Sequence, residues 1–364
     1  MSPTFPLVIS LAKQPDKIIL DLIGKLGRQD QAKLAFVYTT DANAPHLKSI
    51  IDTLRVHTGI PHWVGSVGLG ICCTEHEFYE QPAIVVMVTD FTEDQFEVFS
   101  NAQTISKSPQ QGGLRFTVVH GEPRNGQLPN LIEQLPEQMG NGYLVGGLTS
   151  ASQYYYQLAD TIVEGQLSGV VFDPSVKVVS AISQGCSPIG PPHEITDCEA
   201  HLVQELDGRP ALEVMKEDIG EVLSRDLNRI GGYIFAGFPV QKSDTGDYLV
   251  RNMIGIDVEH QYIGIGEYLQ NGQRMMFCRR DGQTAIEDLK RMLNDIKQRL
   301  PSPPKGGLYF SCLGRGKNLF GDQSQEMKII AEHLGNVPLV GFYANGEIAG
   351  QRLYGYTGVL SLFY

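Results

Sequence analysis

The sequence predicts an α/β protein of mixed (α+β) type. It reads as two tandem domains of mixed β-sheets flanked by helices, built from about four strand–helix–hairpin repeats. Three observations predict this. Apolar runs of strand length alternate with amphipathic stretches of helical length. The runs end in glycine-bearing loops, as in SVGLG (66–70), VGGLTS (145–150) and ANGE (344–347). An early segment also matches a late one without gaps: Val64-Gly65 matches Val340-Gly341 and Gly70 matches Gly346. The 364 residues suffice for two cores.

The elements follow in order. LAFVYTT (34–40) is a strand, 44–57 a helix, PHWVGSVGLG (61–70) a strand with its turn, and AIVVMVTDF (83–91) a strand. A second copy runs through LRFTVVHG (114–121), a helix at 127–139, YLVGGLTS (143–150) and GVVF (169–172). A third has a helix at 211–229, then YIFAGFPV (233–240) and DYLVRNMIGID (247–257). A helix at 284–299 is stopped by PSPP (301–304). The fourth copy begins at GGLYFSC (306–312). Its helix has Asp322 as N-cap with Gln325 three residues on, a capping-box pattern, and an apolar stripe at Met327, Ile330, Ala331 and Leu334. Within each copy the crossover should be parallel and right-handed, with the third strand returning as an antiparallel hairpin. The domains are expected at 1–183 and 184–364.

Composition excludes some functions. The formal charge is −12 with no Lys/Arg run, which argues against nucleic acid and anionic membranes as partners. The longest apolar runs are strand-sized and the N-terminus lacks a signal-peptide pattern. Six cysteines in this length suit reduced thiols, so the cytoplasm is the expected compartment.

The segment QGCSPIGPPHEITDCEAHLVQELDGRPALEVM (184–215) resembles the junction into the C-terminal half of FIST-domain proteins. LVRNMIGID (249–257), SCLGRG (311–316), LFG (319–321), PLVGFYANGEIAG (338–350) and LYGYTGVLSL (353–362) resemble the same family. VGSVGLG (64–70) and LVGGLTSA (144–151) are more loosely similar to its N-terminal region. The resemblance implies a FIST-N-like domain at 1–183, a FIST-C-like domain at 184–364, and an intracellular sensory module that binds small ligands, amino acids among them. In some bacterial members it implies haem binding and a response to nitric oxide. Both halves should use up the chain, so the signalling partner is expected on a separate protein. Two positions depart from the family: Tyr354 stands where His is usual, and SVGLGICCTEHEF (66–78) lacks the Gly346-Glu347 pair of the fourth copy.

The loop CLGRGKNLFG (312–321) is the foremost site. Glycines before a helix free backbone N–H groups to converge on an anion, and Arg315 can fork onto a carboxylate or phosphate. It is not a nucleotide P-loop, because Ser311 replaces the first glycine and Asn318 follows Lys317. A plain tight turn with a paired arginine explains the same residues. Glu347 can accept an ammonium group or pair with Arg352 or Arg315. Arg251-Asn252, inside an apolar strand, is an inter-domain ion pair or a pocket group. The expected ligand-binding set is therefore Cys312, Gly314, Arg315, Gly316, Gly341, Phe342, Gly346, Glu347, Arg251, Asn252, Gly65 and Gly70, around a pocket between domains. No catalytic group and no metal ligand is expected.

Other clusters carry alternatives. Cys186, His193, Cys198 and His201 lie close in sequence, but without a Cys-x-x-Cys pair they do not space like a zinc site. Adjacent Cys72 and Cys73 face opposite sides of a strand. Cys312 before a helix-leading loop could be a nucleophile, with His333 as the base to seek. A haem would take His193, His201 or His260 as axial ligand. Small-ligand sensor, haem-based nitric oxide sensor, cysteine hydrolase and interaction scaffold are thus the competing functions.

Overall fold

The computed structural model describes residues 5–105, 113–224, 227, 230–240 and 246–364. The chain is mixed α/β, as the sequence implied. Contacts divide it into one unit of Met1–Ser183 with Ile286–Tyr364 and another of Gln184–Ala285. Residues 286–364 thus group with the first unit, a partition different from the tandem domains expected.

In chain order the first unit begins with β1 (Leu7–Ser10), α1 (Pro15–Leu26), β2 (Leu34–Thr40), α2 (Leu47–Thr58), β3 (His62–Gly68), β4 (Gly70–Cys73), β5 (His76–Tyr79), β6 (Ile84–Val88) and β7 (Phe96–Phe99). It continues with β8 (Arg115–Gly121), α3 (Leu128–Gln138), β9 (Gly142–Leu148), β10 (Gln157–Ala159), β11 (Thr161–Val163), β12 (Leu167–Phe172) and β13 (Val178–Gln184). The second unit holds β14 (Cys186–Pro188), β15 (His193–Glu199), β16 (Leu202–Leu206), β17 (Arg209–Pro210), α4 (Ala211–Ser224), β18 (Ile234–Pro239), β19 (Tyr248–Asp257), β20 (Tyr262–Ile265) and β21 (Arg274–Arg280). After α5 (Gly282–Arg299) the chain completes the first unit with β22 (Gly306–Cys312), α6 (Gln325–Leu334), β23 (Leu339–Ala344), β24 (Glu347–Gly350), β25 (Arg352–Tyr354) and β26 (Thr357–Phe363).

Three six-stranded sheets of the first unit follow one plan. Their orders are β1-β6-β2-β3-β10-β11, β7-β12-β8-β9-β24-β25 and β13-β26-β22-β23-β4-β5. The centre of each is a parallel pair from one strand–helix–strand crossover: β2–β3, β8–β9 and β22–β23. A later strand of the same segment returns antiparallel beside the first: β6, β12 and β26. The hairpin that follows the parallel pair leaves its own sheet. The β4–β5 hairpin joins β23, the β24–β25 hairpin joins β9, and the β10–β11 hairpin joins β3. The three sheets thus exchange hairpins in a cycle, while the expected third strands at 83–91 and 169–172, β6 and β12, return antiparallel in their own sheets.

Register fixes the correspondence. Val37 faces Gly65, Tyr309 faces Gly341 and Val119 faces Gly146. A Cβ on any of these glycines would lie 1.6, 1.6 or 1.8 Å from the facing residue's carbonyl oxygen, so only glycine fits. The residues following the facing three, Tyr38, Phe310 and His120, are wholly buried, with ring centroids 5.6, 6.1 and 6.0 Å apart. Phe342 packs on all three at 5.5, 5.8 and 5.9 Å. Burial pushes His120 down to about 3, so it stays neutral, with Nε2 3.1 Å from the Tyr38 hydroxyl.

The second unit is built differently. Strands β15, β16, β20, β19, β18 and β21 pair antiparallel in turn, and β21 with β15 closes them into a barrel. Ile195, Val203, Ile263 and Phe277 fill it with Leu212 and Met215 of α4. The third expected copy, at 211–257, therefore has no parallel pair: β18 and β19 are antiparallel neighbours. Residues 225, 226, 228 and 229 of its expected helix lie outside the described residues. A second correction concerns α6. It starts at Gln325 after Ser324, which has left-handed backbone and makes no side-chain cap, so Asp322 is not its N-cap. Among the described residues no helix is long and apolar enough to cross a membrane.

Candidate functional site

Parallel strands release their chains at the same end, and that end is where α/β sheets hold ligands. In the first unit a cleft of about 470 Å³ opens at the ends of β2 and β22. It is lined by Thr40, Asp41 and Ala42 after β2, and by Leu313, Lys317 and Asn318 after β22. Leu69, Tyr79, Glu80 and Gln81 complete it from the exchanged hairpin and its flanks. Asp41 Oδ2 accepts from the hydroxyl and amide of Ser152, while its buried Oδ1 has no hydrogen-bond partner among the described residues. Lys317 Nζ lies 2.8 Å from Glu80 Oε1 and 5.1 Å from the centre of the Tyr79 ring. Two acids, Asp41 and Glu80, and one base, Lys317, thus come from two sheets to one opening whose other lining residues are uncharged. A wider depression along α5, about 580 Å³, is lined by Glu287, Lys290, Arg291, Asn294, Asp295 and Gln298 of that helix only. It gathers no groups from separate elements.

Beneath the cleft is a buried polar network. Arg315 is wholly enclosed and donates through Nε to Glu326 Oε1 at 2.8 Å, with the backbone oxygen and hydroxyl of Ser183 each at 3.3 Å from its terminal nitrogens. Glu326, equally buried, also accepts from Tyr309 Oη at 2.7 Å, Ser311 Oγ at 3.1 Å and the Gly316 amide at 2.9 Å. A buried pair is tolerated only when its remaining donors and acceptors are met, as here. Gly316 is forced by packing, since a Cβ there would lie 1.9 Å from the Tyr79 hydroxyl.

The expected site residues fall into separate places. The fork of Arg315 onto an outside carboxylate meets a closed geometry: its partner is Glu326. Gly65 and Gly341 serve strand approach, and Phe342 is core. Gly70 and Gly346 are equivalent in register, each one residue ahead of the strand position that faces Phe342 or Gly147. Glu347 is fully buried; its Oε2 accepts from the Thr357 amide and hydroxyl at 3.0 and 2.8 Å, and Oε1 has no hydrogen-bond partner among the described residues. Burial pushes it up to about 8, keeping it protonated at neutral pH. Cys312 receives the Gly314 amide at 3.4 Å, and burial together with Glu347 raises its thiol well above the usual range. Such a thiol is a poor nucleophile, and His333 is turned to Ile329 O at 2.8 Å. Arg251 and Asn252 lie on β19 of the barrel, with Arg251 2.6 Å from Glu267.

The histidines expected to bind haem are held by protein groups. His193 bridges Asp207 and Asp218 at 2.6 and 3.0 Å, His201 contacts Glu267 O at 2.8 Å, and His260 contacts Asp257 at 2.8 Å. Of the side chains that ligate haem, the cleft lining holds no His, Cys or Met and one Tyr, Tyr79, whose hydroxyl is engaged by Glu77. Among the described residues no three His, Cys, Asp or Glu side chains gather as a metal site.

Sequence reasoning missed Asp41, Glu77, Tyr79 and Glu326. A signal existed for Glu326: it stands four residues before Ile330, on the apolar stripe of its helix. A charge on such a stripe marks a buried pair.

Family models match most of the chain and divide it near residue 210, within the second unit. A FIST N domain matches residues 33–209 and a FIST C domain matches residues 211–350. The chain is 32% identical over 322 residues to the uncharacterized protein Rv0628c of Mycobacterium tuberculosis, covering 82% of this chain and 83% of that one. It is 29% identical over 350 residues to the uncharacterized protein Mb0898c of Mycobacterium bovis, covering 91% and 90%. The chain belongs to the FIST family, whose N and C domains are sensory domains of signal transduction.

Proposed function

We propose that the chain senses a small zwitterion, an amino acid or a related small carboxylate, in the cleft at the ends of β2 and β22. The observation that carries this is the pairing of unlike groups there. Among the described residues, Asp41 has one buried oxygen without a hydrogen-bond partner and suits an ammonium group; Lys317, held by the exposed Glu80 and the Tyr79 ring, suits a carboxylate. The expected chemistry is kept and its residues move: Arg315 and Glu347 support the fold around the site. Output would pass to a signalling protein on a separate chain. Six free cysteines support a reducing cytoplasm, and the charge of −12 disfavours nucleic acid or anionic membrane as partner.

The test is a thermal-shift screen of the twenty amino acids and small mono- and dicarboxylates at 10 mM. A ligand at 100 times its Kd stabilises by about 2.7 kcal/mol, a shift of about 3–5 °C. The shift should fall in Asp41→Asn and in Lys317→Ala. No shift with any compound, or a shift unchanged in both variants, rejects this site.

A further inference from the structure

The wall of the cleft rests on a half-buried acid, Glu77. Tyr79 lines the cleft, and its hydroxyl donates to Glu77 Oε2 at 2.8 Å. Its ring centre lies 5.0 Å from that of Tyr343 and 5.1 Å from Lys317 Nζ. Glu77 grips the start of α6: Oε1 accepts from the Met327 amide at 3.3 Å, and the Glu77 amide donates to Ser324 Oγ at 2.9 Å. Glu326, the residue before Met327, takes the ion pair of Arg315. Two acids therefore meet at one helix end, and the guanidinium there serves only one of them.

We propose that Glu77 is a positioning residue for the ligand cleft, whose gain or loss of a proton shifts Tyr79 and, through the Tyr79 ring, Lys317. This rests on the cleft being the ligand site. As a carboxylate, Glu77 accepts from both Tyr79 and the Met327 amide. As a neutral acid with the proton on Oε2, that oxygen can donate to Tyr79, whose hydroxyl then turns to accept. The groups facing Glu77 are Tyr79 on its own strand, Cys72 on β4, Tyr343 on β23, and Glu326 with the Met327 amide on α6. The charge beyond Tyr79 is Lys317 with its partner Glu80. Burial first, and then the charge of Glu326, raises Glu77 to about 7, so both forms are populated near neutral pH. The carboxylate prevails above that value and the acid below it.

The experiment uses the full chain with no ligand added. Carbon-13 signals of the glutamate carboxyls, the tyrosine ζ carbons and the lysine ε carbons are followed from pH 5 to 9. Glu77→Gln, Tyr79→Phe and Lys317→Arg assign them. The expected result is one shared midpoint near pH 7 for Glu77, Tyr79 and Lys317, lost from Tyr79 and Lys317 in Glu77→Gln. Should Glu77→Gln not fold, Tyr79→Phe must uncouple Lys317 from Glu77. A Glu77 that titrates alone, or not at all in this range, overturns the proposal. Failure of every amino acid to bind would reject the ligand reading and leave these outcomes as they are.

Discussion

Glu347 should make the first unit less stable as pH rises, against the usual behaviour of a carboxylate. Its folded value is about 8 against an ordinary 4.5. A raised value means that the folded state binds the proton more tightly. The stabilisation is therefore complete below pH 4.5 and is lost as pH climbs through 8. The gap of about 3.5 units, at 1.36 kcal/mol each, is on the order of 5 kcal/mol. Glu347→Gln keeps a neutral side chain of the same shape and an oxygen for Thr357, at a cost near 1 kcal/mol when the acid is protonated. Urea unfolding can be followed by Trp63, the one tryptophan, which is fully buried in the first unit. The stability of the parent minus that of the variant should be positive, about 1 kcal/mol, at pH 4 and below. It should then fall by about 1.4 kcal/mol per pH unit towards pH 8 and change sign. Parallel curves for the two proteins would refute the reasoning.

Two further outcomes follow from packing. Arg315→Ala leaves the buried Glu326 carboxylate without its counter-charge, held by Tyr309, Ser311 and the Gly316 amide, and should lower unfolding free energy by about 3–5 kcal/mol. Gly341→Ala would place a Cβ 1.6 Å from Tyr309 O and should abolish soluble expression, whereas Gly24→Ala, with nothing within 4 Å, should raise stability by up to about 1 kcal/mol.

Much of the first unit was legible in sequence because its parallel pairs are local. Crossovers such as LAFVYTT to PHWVG close within one segment, and the glycines that admit close strand approach left a matched trace at 65 and 341. The hairpin exchange was not legible. Apolar alternation says that β4 is a strand, but not that Cys72 faces Gly341 across the chain. The barrel was misread as a repeat because its short antiparallel strands carry similar apolar runs. At the site, the glycine loop after β22 was found, and its arginine was assigned to a ligand because sequence cannot show Glu326 one helix away. Asp41 was passed over because an acid after a strand is common; its distinction is an unmet oxygen, which only packing reveals.

The most direct measurement is a crystal structure of the full chain with the amino acid that gives the largest thermal shift. Bound density should lie in the cleft of β2 and β22, with the ligand ammonium within hydrogen-bond distance of Asp41 and its carboxylate on Lys317 displaced from Glu80. Density elsewhere, or a cleft holding only water while the ligand still stabilises the protein, would contradict the assignment.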